Sequence, residues 1–193
     1  MATTARVLLV GKRARVLDRL ADALRNEGMH VREDTDFEHA RTHIDGSTVD
    51  VLALGRAVTG ARREGLVSSL KAKNPSLKVV DGLAPITPLL VAQIQEAVTD
   101  PGEAARVVSG AGILPGDDRV VLTLRRPATV AIVLHRLDAL YRAHEQRIYD
   151  GPLGRGRHTF PTRAKSARRA KSTRGERFLV VRADGQTTVH PVA

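Results

Sequence analysis

The first hundred residues alternate short apolar runs with amphipathic helical patterns, and this alternation limits the folds open to them. The run from Arg6 to Val10 is almost wholly apolar, as expected of a strand buried on both faces. Residues 14–27 then place apolar side chains on one helical face, and Gly28 ends that helix. The same order repeats through residue 98. The pattern predicts a parallel sheet with right-handed crossovers and helices on both faces.

The remaining elements of this α/β domain follow from the same patterns. The predicted strands are Met29–Arg32, Val49–Leu54 and Leu77–Val80. The predicted helices run from Thr35 or Asp36 to about Ile44, over 61–73, and over 87–98 with Pro88 at the start. We expect the strand order 2-1-3-4, which is a truncated flavodoxin-like sheet.

The pattern changes after the segment 99–102, Thr-Asp-Pro-Gly, which predicts a domain boundary. Beyond it we predict the strands Val120–Leu124, Thr129–His135, Phe178–Arg182 and Thr187–Val192. Turns are predicted at 125–128 and 150–154, with a tight hairpin at 183–186. Short strands at such spacing favour an antiparallel sandwich. A helix over 129–147 is the alternative for that stretch, although its β-branched first half favours a strand.

We therefore expect two domains, an α/β domain over 1–100 and an all-β domain over 105–193. The chain contains no cysteine, which excludes disulfides and thiolate metal sites. The N-terminus leads directly into the first strand, and no apolar run has the length of a signal peptide or a membrane span. We expect a soluble cytoplasmic protein.

The net charge of +10 has a conspicuous local source in the C-terminal half. Residues 163–174, which we call the basic loop, contain no acid and no aromatic residue. Its six cations are Arg163, Lys165, Arg168, Arg169, Lys171 and Arg174. Such a cluster predicts binding to nucleic acid or another polyanion by counterion release. The alternative is a solvated loop between two strands, and the lack of aromatics argues against base stacking.

The strand ends carry a resemblance to a known family. Leu9-Val10-Gly11-Lys12-Arg13 and Val49 to Gly55, with the spacing of the strands, resemble the receiver domain of bacterial response regulators over residues 6–98. A receiver uses clustered carboxylates to hold Mg²⁺ and one aspartate to accept the phosphoryl group. The resemblance places Gly11 and Lys12 at the metal-binding positions and Gly55 at the acceptor.

Two aspartates near these positions do not restore that chemistry. Asp81-Gly82 stands where a receiver ends its fourth strand with a hydroxyl residue. Asp50 lies at the wrong end of its strand, on the face opposite the site, and Lys12 would repel a divalent ion. The resemblance therefore implies a pseudo-receiver that cannot act as a phosphoswitch.

The second domain carries a resemblance of its own, over residues 105–193. The segments Leu122–Val130, Asp150–Thr159 and Arg177–Gly185 resemble, in this order, the immunoglobulin-like sandwiches of bacterial multidomain proteins, including the flagellar hook-capping protein. This resemblance implies a fold and no activity.

Two further motifs have a functional and a structural interpretation. Gly11-Lys12 could hold a phosphate at the N-terminus of the following helix, or form only a tight turn; it lacks the spacing of a P-loop or a Rossmann fingerprint. His39 and His43 lie four residues apart, a spacing found in zinc sites. No third ligand is evident nearby, so exposed surface histidines are the favoured interpretation. No nucleophile-base-acid set stands out.

We therefore expect a non-catalytic binding or regulatory protein without cofactor or metal. The pseudo-receiver would bind a protein partner, and the basic domain would contact an anionic one. The first alternative is a nucleic-acid-associated protein acting through the basic loop. The second is a nucleotide- or phosphate-binding enzyme with a ligand cradle near Gly11, Gly55 and Gly82. Self-association fits either interpretation, whereas no feature predicts a membrane partner.

Overall fold

A computed structural model describes residues 4–36, 39–82, 86–114, 119–137, 143–162 and 177–192 of the chain. The chain divides into two compact units, Met1–Val98 and Thr99–Ala193. No described helix combines the length and apolarity that crossing a membrane requires.

The first unit contains a four-stranded parallel sheet. Its strands are β1 (Arg6–Val10), β2 (His30–Asp34), β3 (Val51–Leu54) and β4 (Lys78–Asp81). They lie in the order β2-β1-β3-β4, which confirms the predicted order. Val10 is in register with Asp34 and Leu54, and Leu54 is in register with Asp81. The carboxyl ends of all four strands therefore meet along one edge of the sheet, which we call the carboxyl edge.

The helices cover both faces of this sheet, as predicted. They are α1 (Ala14–Asn26), α2 (Ala40–His43), α3 (Gly60–Lys73) and α4 (Thr87–Thr99). Leu9 and Ala53 point to the face packed by α1 and α4. Leu8 and Leu52 point to the face packed by α2 and α3. Strand residues thus alternate between two apolar cores, which is why the strands carry continuous apolar runs.

Two boundaries in this unit differ from prediction. The third strand begins at Val51 because a 3₁₀ turn over Gly46–Thr48 precedes it, with the Asp45 side chain accepting a hydrogen bond from the Ser47 N–H. The helix expected from Thr35 or Asp36 is wrong in extent, since α2 starts at Ala40. The Asp34 carboxylate accepts the Asp36 N–H at 2.8 Å, a local turn that competes with helix formation.

The second unit contains two antiparallel sheets around one apolar core. The strands are β5 (Val108–Ile113), β6 (Arg119–Leu124), β7 (Ala128–Leu137), β8 (Ala143–Leu153), β9 (Gly156–Pro161), β10 (Arg177–Ala183) and β11 (Gln186–Val192). One sheet has the order β11-β10-β7-β8 and the other β5-β6-β9. Leu122 from the smaller sheet and Ile132 and Leu179 from the larger are fully buried in the shared core.

The described residues of 129–147 are extended, so the helical alternative is wrong. The turn prediction at 150–154 is also wrong for most of these residues. Asp150 to Leu153 continue β8 and pair with β7. Cross-strand bonds outweigh the local turn preference of Gly-Pro, and Pro152 is tolerated because β8 is an edge strand. The hairpin at Asp184-Gly185 is confirmed, with φ angles of 47° and 79°.

Strands β5 and β9 were not predicted. β5 has the sequence Val-Ser-Gly-Ala-Gly-Ile, in which two glycines weaken the strand signal. β9 begins at Gly156 and ends at Pro161, and glycine and proline usually mark turns. Between them, polar and apolar residues alternate. Both strands pair with β6, so their extended conformation is imposed by the neighbouring strand.

Candidate functional site

Three glycines follow the strands at the carboxyl edge. Gly11 comes after β1, Gly55 after β3 and Gly82 after β4. The Gly55 N–H donates to the Val10 carbonyl at 2.9 Å, and the Gly82 N–H donates to the Leu54 carbonyl at 3.0 Å. The sheet pairing therefore continues one residue past each strand, and the three glycines lie side by side.

Glycine at two of these positions allows leucine side chains of α1 and α4 to approach the edge closely. A Cβ atom on Gly11 would lie 3.3 Å from Cδ2 of Leu17, and one on Gly82 would lie 3.1 Å from Cδ2 of Leu90. Both leucines belong to the helices that flank the same face of the sheet. Larger residues at these glycines would therefore push into the space between α1 and α4.

A cavity of about 430 Å³ occupies that space. Its volume lies within the range of small-molecule sites, roughly 300–1,000 Å³. Its apolar lining includes Leu9, Ala53 and Val80 from the strands, Leu17 and Leu20 from α1, and Ile94 from α4. It opens beside the carboxyl edge at β1 and β3, where the chain crosses to opposite sides of the sheet. Ligands of open α/β sheets bind at such a position.

Three cations lie where the cavity meets the carboxyl edge. Lys12 and Arg13 follow β1, Arg56 follows β3, and all three line the cavity and are exposed. Within the described part of the chain, neither Lys12 nor Arg13 is paired with a carboxylate. Arg13 also precedes α1, gives it no side-chain cap, and is followed by a first turn without acidic residues. The positive end of the α1 dipole therefore adds to the charge of the three side chains.

The carboxylates of the sheet are engaged away from this cavity. Asp81 accepts two hydrogen bonds from Arg63, at 2.6 and 2.9 Å. The hydrogen bonds with Asp81 raise the pKa of the Arg63 guanidinium. Asp50 lies at the opposite end of its strand and pairs with Arg6 at 2.7 Å. Among the described residues that line the cavity, none is a carboxylate.

His39, which immediately precedes α2, and His43, the last residue of α2, contact different carboxylates. Nδ1 of His39 lies 3.0 Å from Asp36, whose pKa is lowered by this hydrogen bond, and Nε2 of His43 lies 2.8 Å from Asp34. The described residues contain no group of three potential metal ligands. The histidines therefore contribute to two separate pairs, one exposed and one with the buried Asp34, and do not converge on one point.

The structure brings together several residues that the sequence analysis singled out. Gly11 and Lys12, proposed as a phosphate-binding motif, and the cradle glycines Gly55 and Gly82 lie together on the cavity. Sequence reasoning missed Arg13 and Arg56. A usable signal existed, because Arg56 follows Gly55 as Lys12 follows Gly11, each directly after an apolar strand. The basic loop, with Arg163, Lys165, Arg168, Arg169, Lys171 and Arg174, lies outside the described residues.

Comparison with known proteins gives little further guidance. No protein-family model matches the sequence, and no curated protein matches it. Among solved structures the chain is similar to an NAD kinase from Archaeoglobus fulgidus in complex with ATP. The two share 11% identity over 96% of this chain and 90% of the kinase chain, with a TM-score of 0.34. At that TM-score the likeness indicates neither a common fold nor a common activity.

Proposed function

We propose that the chain is a non-catalytic binding protein whose α/β unit holds a small anionic ligand at the carboxyl edge of its sheet. One observation carries the proposal: Lys12, Arg13 and Arg56 follow β1 and β3 at the carboxyl edge and line a cavity whose other described lining side chains are apolar. A cavity wall of low polarity strengthens the attraction between such cations and a bound anion. The N-terminus of α1 adds backbone N–H donors at the same place.

The lining residues support binding more than catalysis. General acid-base and nucleophilic catalysis require carboxylate, imidazole, hydroxyl, thiol or activated amine groups at the reacting atoms. The described lining residues contribute aliphatic groups, glycine backbone and three cations, of which two are guanidinium groups that do not lose their protons. Such a lining can hold and orient an anion.

The finer fold assignments belong to the same proposal. The 2-1-3-4 order and the strand-end glycines support a degenerate receiver-like module in which anion binding replaces phosphotransfer. The four- and three-stranded antiparallel sheets around one core support an immunoglobulin-like second unit. We propose that this unit presents the basic loop to an anionic partner, and that the α/β unit binds a protein partner.

The test is a thermal-shift and calorimetric screen of the full chain at low salt. The screen contains phosphate, pyrophosphate, nucleotides and carboxylates with short and long chains. We expect at least one anion class to bind, and added salt to weaken it. The double substitution Lys12→Ser and Arg13→Ser should weaken binding about tenfold or more, because charge-assisted hydrogen bonds are lost.

The matched control is Lys71→Ser, which removes an exposed cation from α3 on the other face of the sheet. It should leave binding unchanged. If no anion binds at low salt, or if the double variant binds as the parent does, the proposed function is wrong.

A further inference from the structure

The cavity beside the carboxyl edge has two chemically distinct parts. Its outer end carries Lys12, Arg13 and Arg56, while its interior is formed by aliphatic side chains from the sheet and both helices. Val16 of α1 also lines it and is 37% exposed, the large hydrophobic residue with the most exposure among those described. A ligand that enters the cavity would remove this apolar wall from water, which is favourable.

The cavity lies mainly on the face of the sheet packed by α1 and α4. Leu9, Ala53 and Val80 are strand residues of this face, and all three line the cavity. The gap between α1 and α4 therefore reaches the sheet itself, and a ligand entering it would contact strand side chains.

The interior does not suit a nucleobase or a sugar. In the part of the lining that the structure describes, no amide, hydroxyl or carboxylate side chain is present that could bond a base edge or a ribose hydroxyl. A polar ligand group buried there would lose its hydrogen bonds to water without replacement, a penalty of about 1–3 kcal/mol for each group. An aliphatic chain carries no such penalty and gains from leaving water.

From these observations we infer that the ligand is an amphiphilic anion, in which an aliphatic chain fills the cavity and a carboxylate or phosphate head binds the cations. The inference rests on the proposed function and narrows its ligand class. The head would accept hydrogen bonds from Lys12, Arg13 and Arg56 and from N–H groups in the first turn of α1. The aliphatic chain of the ligand would run between α1 and α4 along Leu17, Leu20 and Ile94.

Calorimetric titration of the full chain with matched ligands, below their micelle concentrations, tests this inference. Decanoate and decyl phosphate distinguish the two possible heads, decanol lacks the charge, and butyrate, inorganic phosphate and ATP lack the chain. We expect affinity to rise about fourfold for each methylene added to the chain until the cavity is full. Decanol should bind about tenfold or more weakly than the better decyl anion.

Val16→Asp and Ala53→Leu locate the aliphatic chain in the cavity, and Arg19→Asp is their control. Val16→Asp places a carboxylate on the exposed wall and should weaken the decyl anion about tenfold or more. Arg19→Asp changes an exposed residue of the same helix outside the cavity lining, and should leave affinity within about twofold. Ala53→Leu should shorten the longest chain that binds. If Ala53→Leu does not fold, Val16→Asp still decides the matter, because Val16 is exposed.

The outcomes separate this inference from the proposed function. Phosphate, butyrate or ATP binding as tightly as the decyl anions would overturn the amphiphilic ligand and leave an anion site in place. Decanol binding as tightly as decanoate would overturn both, since the cations would then have no role. Binding of no anion at all would also overturn both. A chain-length dependence that survives in Val16→Asp would place the ligand elsewhere and refute the inference.

Discussion

Arg6 and Asp50 form a two-pronged ion pair at the amino ends of β1 and β3, the edge opposite the cavity. Nη2 of Arg6 lies 2.7 Å from Oδ1 of Asp50, and Nε lies 3.1 Å from Oδ2. The Arg6 N–H also donates to Oδ2 at 2.8 Å. Asp50 therefore connects the amino ends of two neighbouring strands.

The first prediction concerns the pH dependence of this pair. The hydrogen bond from Arg6 lowers the pKa of Asp50. Its stabilising contribution is therefore complete above the unfolded pKa of about 3.9 and is lost as pH falls through the lower folded value. At neutral pH, Asp50→Asn should destabilise the first unit by about 1 kcal/mol, a modest value because the carboxylate is 37% exposed.

Urea unfolding followed by helical circular dichroism measures this effect, because the described α-helices lie almost wholly in the first unit. The difference between parent and variant should shrink toward zero as the carboxylate becomes protonated at low pH. A difference that stays constant with pH would show that the substitution acts through packing.

The second prediction concerns Gly46, whose role is steric. A Cβ atom there would lie 2.6 Å from the Leu70 carbonyl oxygen and 2.9 Å from the Leu70 Cα. Because backbone atoms of α3 cannot move aside cheaply, Gly46→Ala should destabilise the first unit by about 2–3 kcal/mol. The same urea experiment measures it.

Gly55→Ala is the matched control in the same unit. Its Cβ would stand 3.5 Å from the Gly11 Cα, an ordinary contact, so stability should change by less than about 0.5 kcal/mol. Equal destabilisation by the two alanines would mean that the approach of α3 to Gly46 is not the cause.

The third prediction concerns the hairpin between β10 and β11. Asp184 has a φ of 47°, and its carboxylate accepts the Thr129 N–H at 3.0 Å and a bond from Arg126 at 3.3 Å. Asp184→Ala removes these bonds and places alanine in the left-handed region. We expect a loss of about 1–2 kcal/mol in the second unit.

Asp184→Asn is the informative comparison, because asparagine tolerates the same φ and keeps an oxygen for the Thr129 N–H. It should retain most of the stability. Tyrosine fluorescence follows this unit, since both tyrosines of the chain lie beyond residue 99 and there is no tryptophan. If the two variants are equally unstable, the Arg126 ion pair is the main contribution.

The extent to which sequence predicted these features depends on how local their causes are. The strand order and the Asp184-Gly185 hairpin follow from apolar periodicity and turn chemistry, which the sequence shows directly. β5 and β9 depend on pairing with β6, and the Gly-Pro segment of β8 depends on pairing with β7. Those partners lie outside any local window, so local patterns did not predict β5 and β9 and wrongly predicted a turn at the end of β8.

The candidate site likewise combines features that the sequence shows locally with features that depend on distant parts of the chain. Gly11, Lys12 and the two other strand-end glycines are visible in the sequence because they interrupt apolar runs. The cavity is not visible, because the spacing of α1 and α4 on the sheet creates it. Leucines such as Leu17 and Leu20 satisfy a helical core pattern whether they meet another helix or a ligand.

The fourth prediction concerns acid sensitivity of the second unit. Burial lowers the pKa of His135, with Glu145 opposing this and Arg182 adding to it. The unfolded chain therefore takes up a proton near pH 6.5 that the folded unit accepts only at lower pH, so stability falls as pH drops below about 6.5. His135→Leu should reduce this slope, measured by urea unfolding with tyrosine fluorescence between about pH 8 and pH 5.

Burial also lowers the pKa of His190, so part of the slope should persist in His135→Leu. The double variant with His190→Gln should remove most of the remainder. An unchanged slope in both variants would assign the acid sensitivity to other groups.

The fifth prediction concerns the basic loop, on sequence evidence alone. If the loop binds a polyanion, the log of affinity should fall linearly with the log of salt concentration, with a slope of about −0.9 for each phosphate contact on duplex DNA. Six cations cannot all reach one duplex, so we expect about three to five contacts and little sequence preference. Replacing Arg168, Arg169 and Lys171 with serine should flatten the slope.

A control variant that loses three cations elsewhere distinguishes the effect of the basic loop from the effect of net charge. Arg19, Arg32 and Lys71 are exposed residues of the first unit, and their replacement with serine removes the same three charges. Fluorescence anisotropy with labelled DNA, RNA and heparin compares the two triple variants across a salt series. Only the loop variant should lose affinity and slope, because counterion release depends on where the cations contact the polymer. Equal losses in both would attribute binding to overall charge, and no binding at low salt would leave the loop as a solvated connector.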